Sequence, residues 1–290
     1  MRISVNEGYF RKKPNGTSFI DRQRDAIAIA AKAGFDAVDI GLGGIAPGSC
    51  LSMMDNYIDE SKAMREYCAS LGIVVNQTHS PFYEGKPMPD GYKEAMLRTV
   101  ETSAHLGADC VVVHADNWYE ADVEFEYSKA LNTIYEVYAP IVELAEKMGV
   151  KIAMETLFCW IPEWRRFCSR REELDDIIGR FGTDTVGVCL DTGHWRVAYG
   201  ASMTDEIRKL KSKIIATHIH DNKGKTDDHM FPYTATANWD SICKALHDVG
   251  YDGDVTLELV YGAFPDELVT DAAVFARRIA EHLRGKIQGR

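Results

Sequence analysis

The sequence predicts an α/β fold, a single-domain (β/α)8 barrel that covers residues 1–290. Three observations support this prediction. The chain has 290 residues, which suits a barrel of about 250 residues with insertions. Short β-rich runs alternate with amphipathic helical stretches along its whole length, as in parallel α/β proteins. Eight strand–helix pairs can be placed, and eight parallel strands with right-handed crossovers favour a closed barrel over an open sheet.

The predicted strands are short runs rich in apolar and β-branched residues. In chain order they are Ile3–Asn6, Ala37–Ile40, Ile73–Thr78, Cys110–His114, Lys151–Glu155, Thr185–Leu190, Ile214–His218 and Asp254–Leu259. The helices predicted between and after them are Arg22–Ala33, Ile58–Ser70, Tyr92–Leu106, Ser128–Met148, Leu174–Ile178, Asp205–Leu210, Trp239–Val249 and Leu268–Leu283. Gly72, Gly107 and Gly149 provide stop signals, because glycine adopts the left-handed conformation cheaply. An open doubly wound sheet is the alternative, but no G-x-G-x-x-G follows the first strand.

Composition narrows the class of protein. Hydrophobic residues make up 46% and charged residues 27% of the chain, which is typical of a globular enzyme. There is no apolar run of about 18 residues and no signal-peptide core, so we expect neither a membrane span nor export. Seven cysteines without a C-x-x-C pair indicate a reduced, cytoplasmic protein rather than a disulfide framework. The net charge of -11 disfavours nucleic acid as a partner.

Ligand-type side chains follow the predicted strands at the end where such barrels carry their chemistry. Strands three to eight each end with apolar residues followed by His, Asp or Glu, and the set is His79, His114, Glu155, Asp191, His194, His218, His220 and Glu258, with Asp227 and His229 in the loop after strand seven. Any one of them could be an ordinary hydrogen-bonded residue. Burying all of them unpaired would be costly, so we predict bound divalent cations. Carboxylate and imidazole ligands without thiolates suit Mn²⁺ or Zn²⁺ and also Co²⁺ or Mg²⁺.

The segments "LDTGHW" and "THIHDN…DDH", together with the other strand ends, resemble the xylose isomerase-like TIM-barrel superfamily. This superfamily includes sugar (phosphate) isomerases and epimerases and endonuclease IV, and the resemblance runs from "ISVNEG" to the last helix. By resemblance to the ketose 3-epimerases, one metal ion would be held by Glu155, Asp191, His218 and Glu258. By resemblance to endonuclease IV, a three-zinc cluster would add five ligands, which are His79, His114, His194, Asp227 and His229.

We therefore expect a divalent-metal-dependent isomerase or epimerase that acts on a sugar or a related polyol ketone. A metal-polarised carbonyl favours an enediolate, and Glu155 and Glu258 would act as base and acid on opposite faces of the carbon. We expect His194, Lys223 and His220 to contact the substrate or the metal ligands. Six aromatic residues could cover an apolar sugar face or simply pack, and these are Tyr9, Phe10, Phe82, Trp118, Trp160 and Trp195.

Weaker signals in the sequence bear on whether the substrate is phosphorylated and on how many metal ions bind. The loops after strands seven and eight offer Lys223, Gly224, Lys225 and Gly262 rather than a glycine-rich phosphate cradle. We therefore favour an unphosphorylated sugar. We expect one tightly held ion, because two glutamates, an aspartate and a histidine suffice for enolisation. The sequence leaves a homo-oligomer open.

An apurinic/apyrimidinic endonuclease of the endonuclease IV type is the main alternative. Two basic segments could neutralise phosphates, and these contain Arg11, Lys12 and Lys13, and Arg165, Arg166, Arg170 and Arg171. Against this alternative, the segment "FPYTATANWD" after His229 lacks glycine, which limits how closely its backbone can approach a phosphate. A metal-dependent lyase or dehydratase is a third option, and a barrel that binds sugar without turnover is a fourth.

Overall fold

A computed structural model describes residues 1–10, 18–82, 88–115, 126–159 and 166–290. Its eight strands are β1 Ile3–Asn6, β2 Ala37–Gly41, β3 Val74–His79, β4 Cys110–Val113, β5 Lys151–Glu155, β6 Val186–Asp191, β7 Ile214–His218 and β8 Val255–Leu257. They form one sheet in the order β7-β6-β5-β4-β3-β2-β1-β8. Every pairing is parallel, as the strand–helix alternation predicts.

The barrel closes between β7 and β8 through a short seam. Beyond the end of β7, Ile219 forms an isolated parallel bridge with Leu257. The Ile219 amide donates to the Thr256 carbonyl at 2.8 Å, and the Glu258 amide donates to the Ile219 carbonyl at 3.2 Å. These contacts complete the ring of strands, so the predicted closed (β/α)8 barrel is confirmed.

The described helices lie outside the barrel, and their bounds are α1 Phe19–Ala33, α2 Tyr57–Ser70, α3 Tyr92–Leu106, α4 Tyr127–Met148, α5 Arg171–Phe181, α6 Thr192–Tyr199, α7 Met203–Lys209, α8 Trp239–Asp248 and α9 Asp266–Ile287. Three short 3-10 turns cover Glu7–Phe10, Leu51–Met53 and Gly200–Ser202. Helix α6 was not predicted from the sequence. It starts directly after β6 because the Asp191 side chain accepts from the His194 amide at 2.7 Å and thereby caps it.

The barrel interior has an apolar half and a polar half. Small apolar side chains from β4 to β7 pack together, and these are Cys110, Val112, Ala153, Cys189 and Ala216. Opposite them, Ser4 donates to Asn76 at 2.7 Å and Thr256 donates to Gln77 at 3.1 Å. A larger apolar core fills the space between strands and helices. The polar half lies beneath the strand ends where ligand-type residues collect.

Two expectations about the chain as a whole can be compared with the structure. All seven cysteines are free thiols, and six of them are buried. Over the part of the chain that the structure describes, no helix combines the length and apolar character needed to cross a membrane.

Candidate metal centre

Three carboxylates from neighbouring strand ends surround the Nδ1 atom of His218. Glu155, Asp191 and His218 are the last residues of β5, β6 and β7, and Glu258 follows β8. His218 Nδ1 lies 3.4 Å from Glu155 Oε1, 3.8 Å from Asp191 Oδ2 and 3.6 Å from Glu258 Oε1. All four residues are buried, and the most exposed of them, Glu258, retains 4% of its accessible surface.

This arrangement fits a divalent cation. His218 Nδ1 is buried and has no hydrogen-bond partner, which is costly for a nitrogen surrounded by carboxylates unless a proton or an ion lies between them. Donors that each lie about 2.1 Å from a tetrahedral ion are themselves about 3.4 Å apart. The observed separations of 3.4 to 3.8 Å are close to that value. Glu155, Asp191 and His218 offer ligand atoms that all lie within 4.8 Å of one another, and Glu258 belongs to an adjoining group with Asp39, His79 and His218. The donor chemistry of these residues suits a divalent cation.

A second group of donors adjoins the first on the side of β3 and β4. His114 Nε2 lies 2.8 Å from Glu155 Oε2. His79 Nε2 lies 3.3 Å from Glu258 Oε1 and 3.7 Å from Glu155 Oε2. His79, His114 and Glu155 offer ligand atoms that all lie within 4.8 Å of one another. This group could hold a further ion that shares Glu155 with the first.

A third group lies on the opposite side of the first. Asp227 Oδ2 is 3.3 Å from His194 Nε2 and 3.0 Å from His229 Nε2. The other nitrogen of His194 lies 2.8 Å from the Thr156 carbonyl, which directs Nε2 toward Asp227. His229 has a left-handed φ of 45°, an uncommon conformation that is often found at functional sites. The structure thus brings together all nine residues proposed as metal ligands from the sequence.

Two carboxylates of the centre, those of Glu155 and Asp191, are held in the charged form by neighbouring histidines. Burial opposes ionisation of Glu155, but the neighbouring His114 and His218 hold the pKa of its carboxyl well below the usual range. Burial likewise opposes ionisation of Asp191, and His194 contributes to holding its pKa low. In return, Asp191 raises the pKa of His194 well above the usual value although burial acts in the opposite direction. The cluster therefore presents anionic oxygens to a cation at neutral pH.

His220 contacts Asp191 rather than lining the open cavity, and it offers a ligand atom within 4.8 Å of those of Asp227 and His229. Its side chain is 1% exposed, and its Nε2 lies 3.0 Å from Asp191 Oδ1. The ring stacks on His229 with centroids 4.0 Å apart. On its other side it presses against Gly193, where an added Cβ would lie 1.8 Å from His220 Cε1. Glycine is therefore required at position 193 for His220 to reach Asp191.

The residues that follow His220 anchor the loop after β7. The buried Asp221 carboxylate accepts from the Ala237 amide at 3.0 Å and from Trp239 Nε1 at 3.0 Å. The Asn222 side chain donates to the Gly193 carbonyl at 2.8 Å. These bonds tie the loop to the start of α8 and to the turn after β6. They explain why "HIHDN" is so polar immediately after a buried strand.

Lys223 is not brought to the centre. Its side chain is exposed, and the hydrogen bond it makes uses its backbone amide, which donates to Asp228. Lys223 is absent from the residues that line the cavity above the metal ligands. The expectation that Lys223 contacts the substrate therefore finds no support in the geometry.

Three buried side chains near the centre were missed in the sequence. Asp39, on β2, is fully buried and accepts from His79 Nδ1 at 2.7 Å, Asn6 at 3.1 Å and Gln77 at 3.2 Å. The Gln77 amide also lies 2.8 Å from His218 Nε2. Asn6 donates to Glu258 Oε1 at 3.1 Å. The available signal was an aspartate in the middle of the otherwise apolar strand "AVDIG".

A cavity of about 300 Å³ opens above the metal ligands. Of the six aromatic residues that could cover a sugar or simply pack, Tyr9 and Phe82 line it. Phe10 and Trp195 are instead buried in the core, so packing is the alternative that holds for them, and Trp118 and Trp160 lie outside the described residues. The buried Arg166 also lines the cavity.

In the part of the two basic segments that the structure describes, the arginines do not form a phosphate-binding surface. Arg11, Lys12, Lys13 and Arg165 lie outside the described residues. Arg171 is paired with Asp175 and Glu206 at 2.9 and 3.1 Å, so it stabilises the α5 region. Of the described arginines in these segments, Arg166 is the one that reaches the cavity.

Comparison with known proteins agrees with this fold. Residues 27–279 match the family model described as a xylose isomerase-like TIM barrel, and the chain belongs to that family. The uncharacterized protein y4fM of Sinorhizobium fredii is 29% identical over 167 residues, which are 57% of this chain and 51% of that protein. The chain spans between 51% and 62% of the length of the first three curated relatives that it matches.

Relatives with a stated activity fall into two groups. A D-psicose 3-epimerase of Enterocloster bolteae is 23% identical over 239 residues, which cover 78% of this chain and 72% of that protein. A probable endonuclease 4 of Mycoplasmopsis synoviae is 22% identical over 198 residues, which cover 63% and 68%. The relatives thus include both a sugar epimerase and an endonuclease.

Solved structures share the fold over the whole chain. A D-tagatose 3-epimerase-like protein superposes with a TM-score of 0.76 at 22% identity, covering 100% of this chain and 99% of that one. The IolI protein, solved with a zinc atom, superposes with a TM-score of 0.71 at 19% identity, covering 100% and 99%. At these identities the superpositions establish the barrel fold.

Proposed function

We propose that this protein is a divalent-metal-dependent isomerase or epimerase that acts on a ketose or a related polyol ketone. The observation that carries the proposal is the convergence of Glu155, Asp191 and Glu258 on the unpartnered Nδ1 of His218. We propose Mn²⁺ or Zn²⁺ as the ion, with Co²⁺ or Mg²⁺ as substitutes. The epimerase relative supports the reaction class. The seven free thiols are consistent with a cytoplasmic protein.

When bound, the cation would polarise the substrate carbonyl and stabilise the charge of an enediolate. Glu155 and Glu258 would move the proton. One carboxylate removes it from the carbon next to the carbonyl, and the other returns a proton to the opposite face. Two bases are needed because a single carboxylate cannot reach both faces of a bound sugar. Tyr9, His194 and Phe82 would hold the sugar in the cavity.

The experiment that tests the proposal is a substrate screen in D₂O. Protein stripped with a chelator would be reconstituted separately with Mn²⁺, Zn²⁺, Co²⁺ and Mg²⁺ and incubated with unphosphorylated ketoses and inososes. We expect NMR to show deuterium on the carbon next to the carbonyl, together with the isomerised product, only in the reconstituted samples. Absence of exchange with every sugar and every ion would contradict the proposal.

An endonuclease of the endonuclease IV type is the second candidate. The observation that favours it is that the second and third groups, around His79 with His114 and around Asp227 with His229, could complete a three-ion cluster. We retain the isomerase proposal because the net charge of -11 opposes a polyanion. In addition, the segment after His229 contains no glycine, and Tyr233 instead occupies a left-handed conformation with φ 72°.

Two measurements separate the candidates. Duplex DNA with an abasic site would be incubated with the Zn²⁺- or Mn²⁺-loaded protein at low salt. Efficient incision that disappears in Glu155→Gln would overturn the isomerase proposal. Metal analysis would count the ions, and we expect one tightly held ion per chain. Three stoichiometric ions without incision would contradict only the one-ion expectation.

A further inference from the structure

A second cavity, of about 620 Å³, lies beside the metal centre. It is formed by the loop after β7, the loop after β8 and the first half of α9. Its walls are mainly apolar side chains, which are Met230, Phe231, Val260, Phe264, Leu268 and Phe275. The volume is within the range of pockets that bind small molecules. We call this space the apolar cavity.

The apolar cavity leaves large hydrophobic side chains open to solvent. Phe275 is 56% exposed, Leu268 48% and Val260 45%. The ring of Phe231 lies between those of Phe264 and Phe275, with centroids 6.0 and 6.4 Å away. Single exposed apolar residues are ordinary, but a contiguous group in a concave surface indicates a binding site.

The apolar cavity shares a wall with the cavity above the metal ligands. Asp227 and Glu258 line the metal-centre cavity, whereas their near neighbours Asp228 and Val260 line the apolar cavity, and His229 lines both. The Val260 amide donates to the His229 carbonyl at 3.0 Å and joins the two segments. The partition is therefore only one pair of backbone segments thick, so one ligand could extend across its edge and occupy both cavities.

The chemistry of the apolar cavity restricts what it can bind. Among the described residues that line it there is no lysine or arginine. Apart from His229, whose ring is paired with Asp227 on the side of the metal centre, its charged groups are the carboxylates of Asp228 and Asp271. The hydroxyl of Thr234 already donates to the Phe231 carbonyl at 2.6 Å. A phosphate would be repelled, and a sugar ring would find few partners for its hydroxyls. An uncharged aromatic or aliphatic group matches this lining.

We infer that the substrate is a sugar that carries an apolar substituent, with its sugar part at the metal centre and its aryl or alkyl part in the apolar cavity. This inference rests on the proposed function and narrows it, because it favours an unphosphorylated keto sugar that carries an aryl or alkyl group over a free hexose. Because His229 lines both cavities, the sugar part and the apolar part of the substrate would lie on either side of this residue.

The test compares two glucosides that differ only in the aglycone. Phenyl β-D-glucopyranoside and methyl β-D-glucopyranoside, which have no ketone and therefore serve as non-reacting binding probes, would be titrated into metal-loaded protein carrying ¹³C-labelled methyl groups. We expect the phenyl glucoside to shift the Leu268 and Val260 methyl resonances and to bind about tenfold more tightly than the methyl glucoside. Phe275→Ala should reduce this advantage to about twofold. Leu71→Ala, which alters an exposed residue (39%) outside both cavities, is the matched control and should preserve it.

The outcomes separate this inference from the proposed function. Equal binding of the two glucosides, or an advantage that survives in Phe275→Ala, would overturn the inference. It would also be overturned if neither glucoside shifted the Leu268 or Val260 resonances. In that case a dimer in sedimentation velocity that Phe275→Ala dissociates would show that a second copy of the chain fills the cavity. If the phenyl glucoside binds no more tightly than the methyl glucoside but free ketoses still exchange deuterium, the proposed function remains and only this inference fails. An intact aglycone effect without any exchange would remove the proposed function and retain the apolar binding site.

Discussion

Substitution of Gly193 by alanine should weaken metal binding although residue 193 is not a ligand. The added Cβ would lie 1.8 Å from His220 Cε1 and 2.4 Å from His220 Nδ1, whereas ordinary contacts begin near 3.4 Å. The His220 ring must therefore move by roughly 1.5 Å. That displacement breaks its 3.0 Å contact with Asp191 and disturbs its stacking on His229. Loss of a group that orients a ligand typically lowers metal affinity 10- to 100-fold, or about 1.4 to 2.7 kcal/mol.

The assay is competition for Zn²⁺ or Mn²⁺ against a chromophoric chelator, with circular dichroism to verify the fold. Gly179→Ala is the matched control because position 179, inside α5, has no atom within 4 Å of an added Cβ. It should leave metal affinity unchanged and slightly favour the helix. His220→Asn removes the imidazole without adding a Cβ at position 193. It should weaken metal binding to a similar extent as Gly193→Ala. Wild-type affinity in both variants would refute the assigned role of His220.

Three further predictions concern proton transfer, pH and the buried network. Glu155→Gln and Glu258→Gln should each lower the deuterium-exchange rate by at least about 10²-fold, because an amide cannot carry the proton; a variant with near wild-type exchange would exclude that residue as acid or base. Burial disfavours charge on His229, but Asp227 and Glu258 raise its pKa to about 9. Its stabilising contribution to metal-free protein should thus be complete below about pH 6.5 and disappear as the pH rises through 9; urea unfolding should show this loss, and His229→Gln should reduce it. Asp39→Asn should destabilise the metal-free protein by about 1–3 kcal/mol in the same assay, since a buried carboxylate with three donors is removed, and unchanged stability would contradict this.

The fold was predictable because its local signals agree. Strands β1, β5 and β7 begin and end where the sequence predicts, and the other strand ends differ by one or two residues. The glycines after α3 and α4 end those helices in left-handed conformations, with φ 79° at Gly107 and 70° at Gly149. Helix α6 escaped prediction because its cap, Asp191, is also the last residue of a strand.

The sequence allowed the residues of the site to be predicted, but not the contacts that each of them makes. Side chains at strand ends are brought together by the barrel geometry alone, which is why Glu155 and His218 could be found from their positions. The role of His220 depends on its burial against Gly193, and the place of Asp39 depends on which face of β2 turns inward. The pairing of β2 with β3 also shifts register between Val38 and Asp39, where Asn76 of β3 is passed over, and such irregularities leave no dependable trace in one sequence.

The position of the β7–β8 seam implies that the proposed ion would also stabilise the barrel. The seam is held by few backbone hydrogen bonds, at Ile219 and Glu258, and it separates the strand that ends in His218 from the strand that precedes Glu258. An ion held by His218 and Glu258 would therefore link β7 to β8 at the part of the barrel that has few backbone hydrogen bonds. Amide protons at Ile219 and Glu258 should exchange with solvent fastest among barrel amides when the ion is absent, and much more slowly when it is present. Catalytic competence and stabilisation of the seam would then be acquired in the same binding event.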